Sequence, residues 1–275
     1  MKVSIVVIKG GLGNQMFCYA FFLSLKRKNK ALYLLNIEDG VFVHNGLEIF
    51  RIFHCRGAWR YRLLGILHII KPNFWANYIE IKESKEFTFD KIIFQEQHYN
   101  TIYDGYWQNE KYFSDITKNI KDSFKFKKHK LSHKSIQLAK ELRTNNSVAI
   151  HIRRGDYLNL EWYTCTIDYY VNAISYIKQK TKNPVFYFFS DDISWCKKHF
   201  CEDNYKFIDF NKGFNSWQDL YLMTQCKHII IANSTFSWWG AWLNSNPNKI
   251  VIAPFQWIKN KENSSQIISK NWVTI

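Results

Sequence analysis

Charged and hydroxyl side chains follow three apolar runs of the sequence, each at the point where the run ends. The runs are Ser147–Ile152, Val185–Ser190 and His228–Ala232, and the segments that follow them are Arg153–Asp156, Asp191–Asp192 and Asn233–Phe236. If the runs are parallel strands, their carboxyl ends meet at one edge of a sheet, where such sheets bind ligands. An arginine grips a phosphate with two parallel hydrogen bonds and keeps its charge at any working pH. The spacing therefore predicts a phosphate site at that edge.

The arginine pair and the hydroxyl-rich turn each have a plainer explanation. Arg153 and Arg154 could form surface salt bridges, for example with Asp156, and Ser234 and Thr235 could simply cap the following helix. However, two adjacent arginines are costly to bury unless an anion meets them. The first N–H groups of a helix carry partial positive charge and also attract anions. Together the two features favour a diphosphate held between Arg153 and the start of the helix.

The second half of the chain alternates predicted strands with predicted helices, which is the pattern of a parallel sheet. Besides the three runs above, strands are expected at Tyr205–Ile208 and Lys249–Ala253. Helices are expected at Asp168–Thr181, Asp192–Phe200, Ser216–Thr224 and Phe236–Leu243. The near-helical spacing of Trp238, Trp239 and Trp242 indicates core packing rather than a ligand site.

The first half opens with a strand, a glycine-rich loop and a helix. The predicted elements are a strand at Val3–Ile8, a turn at Gly10–Gly13, a helix at Asn14–Lys28 and strands at Ala31–Leu35 and Thr101–Trp107. The loop lacks the Gly-Lys-Ser/Thr of a P-loop and the third glycine of a dinucleotide fingerprint, but it brings bare backbone close to a ligand. Residues 38–100 have too weak a periodicity to order their elements.

A lysine-rich stretch, Lys118–Lys134, carries seven lysines and predicts the connection between the two halves. Ser114 is expected to cap a helix over Asp115–Phe124, and Ser132 or His133 to open a helix that ends near Arg143. The expected fold is therefore α/β, with two Rossmann-type domains, residues 1–130 and 131–275, that face each other across a cleft.

Composition limits the class of protein further. The 275 residues are 47% hydrophobic and 22% charged, which excludes a disordered chain, and the net charge of +15 favours a phosphorylated or polyanionic partner. The six cysteines are scattered without a Cys-x-x-Cys pair, as expected for reduced thiols. No apolar run reaches the ~18 residues of a membrane span, and the N-terminal run is too short for an export signal. We expect a cytoplasmic protein, or one that rests on a membrane surface.

Four blocks of the sequence, in this order and spacing, closely resemble the bacterial α-1,2-fucosyltransferases of glycosyltransferase family 11. They are Gly10–Ala20 (GGLGNQMFCYA), His151–Tyr157 (HIRRGDY), Ser190–Asp192 (SDD) and Asn233–Leu243 (NSTFSWWGAWL), and Tyr103–Phe113 (YDGYWQNEKYF) is similar to that family as well. The resemblance runs from residue 5 to about residue 257. Cys18 stands where the family often has a glutamine, which is a packing position in the first helix.

The resemblance implies a GT-B-like fold and an inverting transfer of L-fucose from GDP-fucose to the 2-hydroxyl of a terminal β-galactoside, in the synthesis of a surface glycan. It implies no cofactor and no metal, and the chain contains no Asp-x-Asp triplet of the kind that often holds a cation in metal-dependent glycosyltransferases. Arg153 and the helix start would then supply the positive charge that the leaving GDP requires. The second domain is expected to bind the donor, and the first the acceptor.

The family also suggests which residues line the two sides of the site. Arg153 is expected to hold the β-phosphate, with His151 and Asp219 near the guanine or ribose, although Asp219 could equally be a structural helix residue. The donor side is expected to comprise His151, Arg153, Arg154, Asp191, Asp219, Asn233, Ser234, Thr235 and Phe236. The acceptor or sugar side is expected to comprise Gly11, Gly13, Asn14, Gln15 and Trp107.

The acceptor hydroxyl needs a group that takes up its proton. Asp156 and Glu161 follow the arginines closely, and related core-fucosylating enzymes place a catalytic glutamate at the spacing of Glu161. Glu161 is therefore expected to be the base. Asp156 could take that role, or it could orient Arg153 or Arg154 instead.

Several alternatives stand beside this interpretation. One is another GDP-sugar transferase on the same scaffold. A second is a basic nucleic-acid-binding module, but the charge is scattered outside the lysine-rich stretch and no nucleic-acid-binding motif is present, so no nucleic-acid partner is expected. The segment Arg60–Tyr78 could bind the acceptor, or it could rest on an anionic membrane where lipid-linked glycans are built. A buried helix pair is the simpler explanation.

Overall fold

The structure is a computed structural model that describes residues 4–27, 32–36, 48–56, 78–83, 85–94, 100–158, 165–258 and 264–275. The chain divides into two compact units, residues 1–127 and residues 128–275. The division lies within the lysine-rich stretch, three residues before the boundary expected from the sequence. Each unit is built around a parallel sheet, so both halves have the α/β character that the sequence predicts.

The sheet of the first unit has the strand order β2-β1-β4-β3, and every pairing is parallel. The strands are β1 Ser4–Ile8, β2 Leu32–Asn36, β3 Ile79–Lys82 and β4 Thr101–Asp104. All five residues of β1 are buried, as expected for a β-branched central strand that is covered on both faces. β1 and β4 are neighbours, so the residues that follow these two strands meet at one sheet edge.

Among the described residues of the first unit, the helices are α1 Leu12–Lys26, α2 Glu48–Ile52 and α3 Thr117–Ser123. Most of α1 is buried all round, which is typical of a helix inside a unit rather than on its surface. A tight 3₁₀ turn at Ser114–Ile116 precedes α3, whose N-cap is Ile116. The prediction that Ser114 caps this helix is therefore wrong, because the 3₁₀ turn takes up the residues at which the α-helix was expected to start.

The sheet of the second unit has the order β10-β9-β8-β5-β6-β7, again with parallel pairings. The strands are β5 Ser147–Ile152, β6 Val185–Ser190, β7 Tyr205–Ile208, β8 His228–Ile230, β9 Val251–Ala253 and β10 Val273–Thr274. The strand order reverses between β5 and β8, because the chain runs outward to β7 on one side and to β10 on the other. Such a switch point is where open α/β sheets bind ligands.

Helices cover both faces of this second sheet. They are α4 His133–Thr144, α5 Ile167–Lys180, α6 Ile193–His199, α7 Trp217–Gln225 and α8 Thr235–Leu243. Val148, Ile150 and Ile152 pack on one face with the apolar side of α5. Alternate residues of β5 point to the opposite face, where the ring of His151 lies 5.7 Å from that of Phe236 in α8.

Side chains cap the first turns of α4 and α5. Ser132 accepts a hydrogen bond from the Ser135 amide at the start of α4, and Thr166 does the same for Tyr169 at the start of α5. The three tryptophans of α8 are buried and contact one another, which confirms that they are core residues. None of the described helices combines the length and the apolar character that a membrane crossing requires. All six cysteines are free thiols, and four of them are buried.

Candidate active site

The residues after β5, β6 and β8 meet at the carboxyl edge of the second sheet, beside its switch point. Ile150 is paired with Ile230, so the same register continued for three residues sets Arg153 level with Asn233. On the other side Ile152 is paired with Ser190, which sets Arg153 beside Asp191. The three segments that the sequence singled out therefore lie together, with Arg153 in the middle.

Arg153 is fixed in place but remains accessible. Its Nη1 lies 3.0 Å from Oδ2 of Asp191, and its guanidinium carbon lies 5.5 Å from the centre of the Tyr157 ring. The side chain is 32% exposed. A guanidinium held in this way can still offer N–H groups to an incoming anion.

Asp191 holds two parts of the arginine segment with one carboxylate. Oδ2 pairs with the guanidinium of Arg153, and Oδ1 accepts a hydrogen bond from the Arg154 amide at 2.9 Å. Gly155 makes room for this carboxylate, because a Cβ at that position would lie 2.8 Å from Oδ2 of Asp191. Asp191 was predicted to bind the donor, but its contacts show that it acts on Arg153 and on the backbone beside it.

Arg154 points into a different environment from Arg153. Its guanidinium carbon lies 4.1 Å from the centre of the Trp195 ring, and its Nε lies 3.4 Å from Oδ2 of Asp192. The other oxygen of Asp192 caps α6 by accepting from the Trp195 amide. The guanidinium packs on the protein and ties the arginine segment to α6, and the donor contact predicted for Arg154 stays a prediction.

The start of α8 lies beside Arg153 and presents backbone amides. Ser234 is the N-cap, yet its side chain forms no capping hydrogen bond, so the simple capping explanation does not account for it. Thr235 and Phe236 are partly exposed in the first turn of α8. This arrangement can bind an anion through backbone N–H groups.

Asn233 has a structural role in the turn before α8, and its predicted donor contact stays a prediction. Its Nδ2 donates to the Trp257 carbonyl at 2.9 Å, and its Oδ1 lies 3.5 Å from the Cys165 thiol. The Tyr157 hydroxyl donates to the Asn233 carbonyl at 3.2 Å. Both ends of the amide are used within the protein, and the result is a braced turn from which α8 starts.

His151 is a buried, neutral imidazole close to Arg153 and to the start of α8. Burial, assisted by the nearby charge of Arg153, lowers its pKa to about 3. Within the described part of the chain, its Nδ1 is buried without a hydrogen-bond partner. Buried polar atoms nearly always have a partner, so this nitrogen is suited to bind a ligand at the sheet edge.

Asp219 lies in the first turn of α7, where burial raises its pKa to about 7. Asn211 Nδ2 donates to Oδ1 of Asp219 at 2.8 Å, which favours the ionised form but does not offset the burial. The carboxyl group therefore changes its charge near neutral pH. A perturbed carboxyl group of this kind is typical of a functional site.

The structure describes the backbone of only one of the two candidate bases. Asp156 begins a 3₁₀ turn, Asp156–Leu158, directly after the arginines. Glu161 lies outside the described residues, and so does the segment considered for acceptor or membrane contact, Arg60–Tyr78, apart from its last residue. The roles predicted for Asp156, for Glu161 and for this segment stay predictions.

The glycine loop of the first unit is built as the sequence suggests, although its members differ in role. Gly10 has a φ of +73°, a conformation that favours glycine, and Gly11 is the N-cap of α1. Asn14 is partly exposed, and its Oδ1 accepts from Gln108 Nε2 at 2.9 Å. Gln15 is fully buried and donates to the Gly10 carbonyl at 3.0 Å. Gln15 thus supports the loop from behind, and Gly13 is buried within α1, so neither faces a sugar as predicted.

Trp107 is a core residue, which corrects its predicted place on the acceptor side. The side chain is 0% exposed, and its ring stacks on Phe21 with the centres 4.2 Å apart. Its backbone has a φ of +55°, and its amide donates to Oε2 of Glu83 at 3.1 Å. The ring therefore anchors the turn that follows β4 to the hydrophobic interior.

Several residues at the two edges escaped the sequence interpretation. Tyr157 and Trp195 hold the arginine segment, and the amide of Gln108 reaches Asn14. In the second half we asked which residue follows each strand. The same question in the first half would also have found Lys9 after β1 and Asp104 at the end of β4. This question could not be asked for β3, because the residues around it have no clear periodicity.

Comparison with known proteins gives a consistent result. The family described as Glycosyl transferase family 11 matches residues 2–275. An alpha-1,2-colitosyltransferase of Escherichia coli is 36% identical, over 100% of this chain and 99% of the relative. The O-antigen biosynthesis glycosyltransferase WbnK of Escherichia coli is 31% identical, over 98% and 99%. The Sec1 galactoside 2-alpha-L-fucosyltransferase of Mus musculus is 28% identical, over 90% of this chain and 66% of the relative.

Among solved structures, FUT1 of Arabidopsis thaliana, determined as a mutant in complex with GDP, is similar with a TM-score of 0.51. The sequences are 10% identical, over 91% of this chain and 70% of that one. At this identity the likeness concerns the fold. It confirms the GT-B-like α/β fold that the sequence predicts.

Proposed function

Since the chain belongs to glycosyl transferase family 11 and is a glycosyltransferase, we propose that it transfers L-fucose from GDP-fucose to the 2-hydroxyl of a terminal β-galactoside, with inversion at the sugar carbon. The names of its relatives support both the deoxysugar and the acceptor. The relative that acts in O-antigen biosynthesis supports a surface glycan as the product.

The main chemical demand of this reaction is the charge of the departing GDP. The bond from the sugar carbon to the β-phosphate oxygen breaks, and negative charge develops on the diphosphate. Arg153 and the amides at the start of α8 would stabilise that charge, because they lie on neighbouring strands at the switch point of the sheet. This juxtaposition is the observation that carries the proposal. We propose that these groups act without a metal ion and without a cofactor.

His151 and Asp219 are proposed to recognise the nucleoside. A carboxylate suits guanine, because the N1–H and the N2 amino group of that base are both donors. The buried Asp219 would accept from them once it is ionised. His151 stays neutral, so its unpaired Nδ1 can donate a hydrogen bond to the ribose or the base, or accept one from it. Phe236, partly exposed beside His151, adds apolar contact.

The proton of the acceptor hydroxyl goes to a carboxylate in the segment that follows the arginines. We propose Glu161 for this role, and Asp156 is the alternative. The sugar carbon then bonds to the acceptor oxygen, GDP leaves and the carboxyl group gives its proton to solvent.

The direct experiment incubates the protein with GDP-fucose and a panel of β-galactosides in the presence of EDTA. We expect GDP release and a product whose NMR spectrum shows an α-fucosyl group on the 2-oxygen of galactose. GDP-mannose and UDP-sugars serve as negative controls. Transfer to another position, or transfer only from a different nucleotide sugar, would contradict the proposal.

Colitose transfer is a second candidate, favoured by the relative that is 36% identical over the whole chain. Colitose is fucose without the 3-hydroxyl group. A site that hydrogen-bonds this hydroxyl rejects the sugar that lacks it, because buried polar groups would stay unpaired. The ratio of kcat/KM for GDP-fucose and GDP-colitose, measured with one acceptor, decides between the two donors.

For the setting of the reaction, we propose a lipid-linked or free oligosaccharide acceptor in the cytoplasm and peripheral contact with the anionic membrane. The net charge of +15 supports this contact. Co-sedimentation with vesicles that contain anionic lipid, at low and high salt, tests it. Binding that is absent at low salt would contradict the membrane contact.

A further inference from the structure

The carboxyl edge of the first sheet carries an ion pair to which no role has been assigned so far. Lys9 directly follows β1, Asp104 ends the neighbouring β4, and Lys9 Nζ lies 2.5 Å from Asp104 Oδ1. The two side chains are 26% and 25% exposed. Burial opposes the charge of Lys9, but the Asp104 carboxylate outweighs it and raises the pKa of the ammonium group. Both side chains are reachable from solvent at the switch point of this sheet.

An aromatic ring and an amide stand beside the pair. Lys9 Nζ lies 5.2 Å from the centre of the Tyr106 ring. At Gly10, an added Cβ would lie 3.2 Å from a ring carbon of Tyr106 and 2.9 Å from Asn14 Nδ2. The ring and the amide therefore border the same bare stretch of backbone, which glycine alone keeps open.

The turn that presents Tyr106 is held rigidly. Oε2 of Glu83 accepts hydrogen bonds from the Tyr106 amide at 2.8 Å and from the Trp107 amide at 3.1 Å. A Cβ at Gly105 would lie only 2.6 Å from the Cβ of Glu83, so the turn and the carboxylate are in close contact. Trp107 adopts a left-handed backbone conformation, with a φ of +55°. Backbone strain that is braced in this way is typical of ligand-binding sites.

We propose that Lys9, Asp104 and Tyr106, together with Asn14, form the subsite for the terminal sugar of the acceptor. This inference rests on the proposed function and names the residues of its acceptor side. A hexopyranoside has an apolar face of C–H groups and a rim of hydroxyl groups. The Tyr106 ring suits the face, the carboxylate of Asp104 accepts from hydroxyl groups, and Lys9 and Asn14 donate to them.

The charges at this edge favour a neutral ligand. Asp104 offsets the charge of Lys9, so a phosphate gains little here. A neutral sugar meets no such penalty, and its hydroxyl groups can bridge a carboxylate and an ammonium group. The cluster therefore differs in kind from the arginine site of the second unit.

The test compares Asp104→Asn, Lys9→Met and Tyr106→Leu with the wild-type enzyme. Each variant should raise the acceptor KM more than it lowers kcat. For Asp104→Asn and Lys9→Met, which each lose a charge-assisted hydrogen bond, we expect KM to rise roughly 10-fold. The thermal stabilisation by GDP should persist, which shows that each variant is folded. Asp115→Asn is the matched control, because Asp115 forms an exposed pair with Arg27 in the same unit at 2.6 Å.

Binding of methyl β-galactoside, followed by saturation-transfer NMR without any donor, gives a second readout that does not depend on turnover. The wild-type protein should bind, and Tyr106→Leu and Asp104→Asn should lose the signal. Unchanged acceptor KM and unchanged NMR signals in all three variants would overturn this inference while leaving the proposed function intact. Galactoside binding at this subsite without transfer from any GDP-sugar would instead contradict the proposed function.

Discussion

Arg153 and Asp191 form an ion pair in which Nη1 and Oδ2 are 3.0 Å apart, and the same carboxylate also accepts the Arg154 amide at 2.9 Å. The pair lies between β5 and β6, one residue beyond the last paired residues of the two strands. It orients the guanidinium before any ligand arrives. Catalysis by preoriented charge requires such an arrangement, because no reorganisation is then needed when charge develops.

Arg153→Ala should remove the main charge that faces the leaving diphosphate. We expect kcat to fall roughly 10²–10³-fold, as for the loss of a preorganised donor at a transition-state anion. GDP should also bind more weakly, while the unfolding temperature without ligand changes little. Steady-state kinetics and a GDP titration measure both effects.

The matched control is Arg143→Ala, because Arg143 lies in the last turn of α4, where it donates to Gln225 at 2.8 Å. This variant should keep its turnover and its GDP affinity. Near-normal turnover of Arg153→Ala would contradict the phosphate assignment.

Asp191→Asn keeps an oxygen for the Arg154 amide but loses the ion pair with Arg153. We expect kcat to fall about tenfold, the approximate effect of one charge-assisted hydrogen bond. Asp209→Asn, which breaks the exposed pair of Asp209 with Lys197, is the control and should be neutral. If Asp191→Asn also left kcat unchanged, the ion pair would have no part in positioning Arg153.

Gly155→Ala should act through the same carboxylate, since the new Cβ would lie 2.8 Å from Oδ2 of Asp191. The displaced carboxylate would no longer hold Arg153 in place. A double-mutant cycle with Asp191→Asn should therefore be non-additive in log kcat. Full additivity would show that Gly155 acts by another route.

Asp219 predicts a pH dependence with a defined sign. Because its pKa is raised to about 7, the native protein binds more protons than the unfolded chain between pH 3.8 and about 7. The free energy of unfolding contributed by this group therefore falls as pH rises through that window. GDP affinity should change in the opposite direction and strengthen from pH 6 to pH 8, as the carboxylate that accepts the guanine donors forms.

Calorimetric titrations of GDP at several pH values measure this effect. Asp219→Asn should bind GDP more weakly, with an affinity that no longer depends on this titration. A wild-type affinity that is flat across pH 6–8 would indicate that Asp219 is a structural residue of α7.

Glu161→Gln should lower kcat and leave the GDP affinity unchanged, because a base acts on the acceptor and not on the nucleotide. Asp156→Asn should have the smaller effect on kcat if Glu161 is the base. The reverse order would assign the base to Asp156. Loss of GDP binding in Glu161→Gln would place that residue on the donor side.

The second sheet could be predicted well from the sequence, because its strands are short apolar runs separated by helices with clear caps. β5, β6 and β7 begin and end at the predicted residues. β8 and β9 are shorter than predicted, and β10 at Val273–Thr274 was missed because a two-residue strand has no periodicity. In the first unit, β3 was missed because it has only four residues, which are largely exposed and follow no continuous apolar run.

The sequence locates the candidate site but does not assign a role to each of its residues. The residues after the strands identify the sheet edge, since that depends on topology alone. Which arginine faces outward depends on side-chain partners far away in sequence, such as Asp191 for Arg153 and Trp195 for Arg154. Likewise, the sequence does not reveal that Trp107 turns into the core, because its left-handed backbone depends on the remote carboxylate of Glu83.

The most direct test of the central claim is a crystal structure of the GDP complex prepared in EDTA. It should show a β-phosphate oxygen within hydrogen-bond distance of the Arg153 guanidinium and another facing the amides of Thr235 and Phe236. A diphosphate bound elsewhere, or GDP that enters the crystal only when a divalent cation is supplied, would contradict the account.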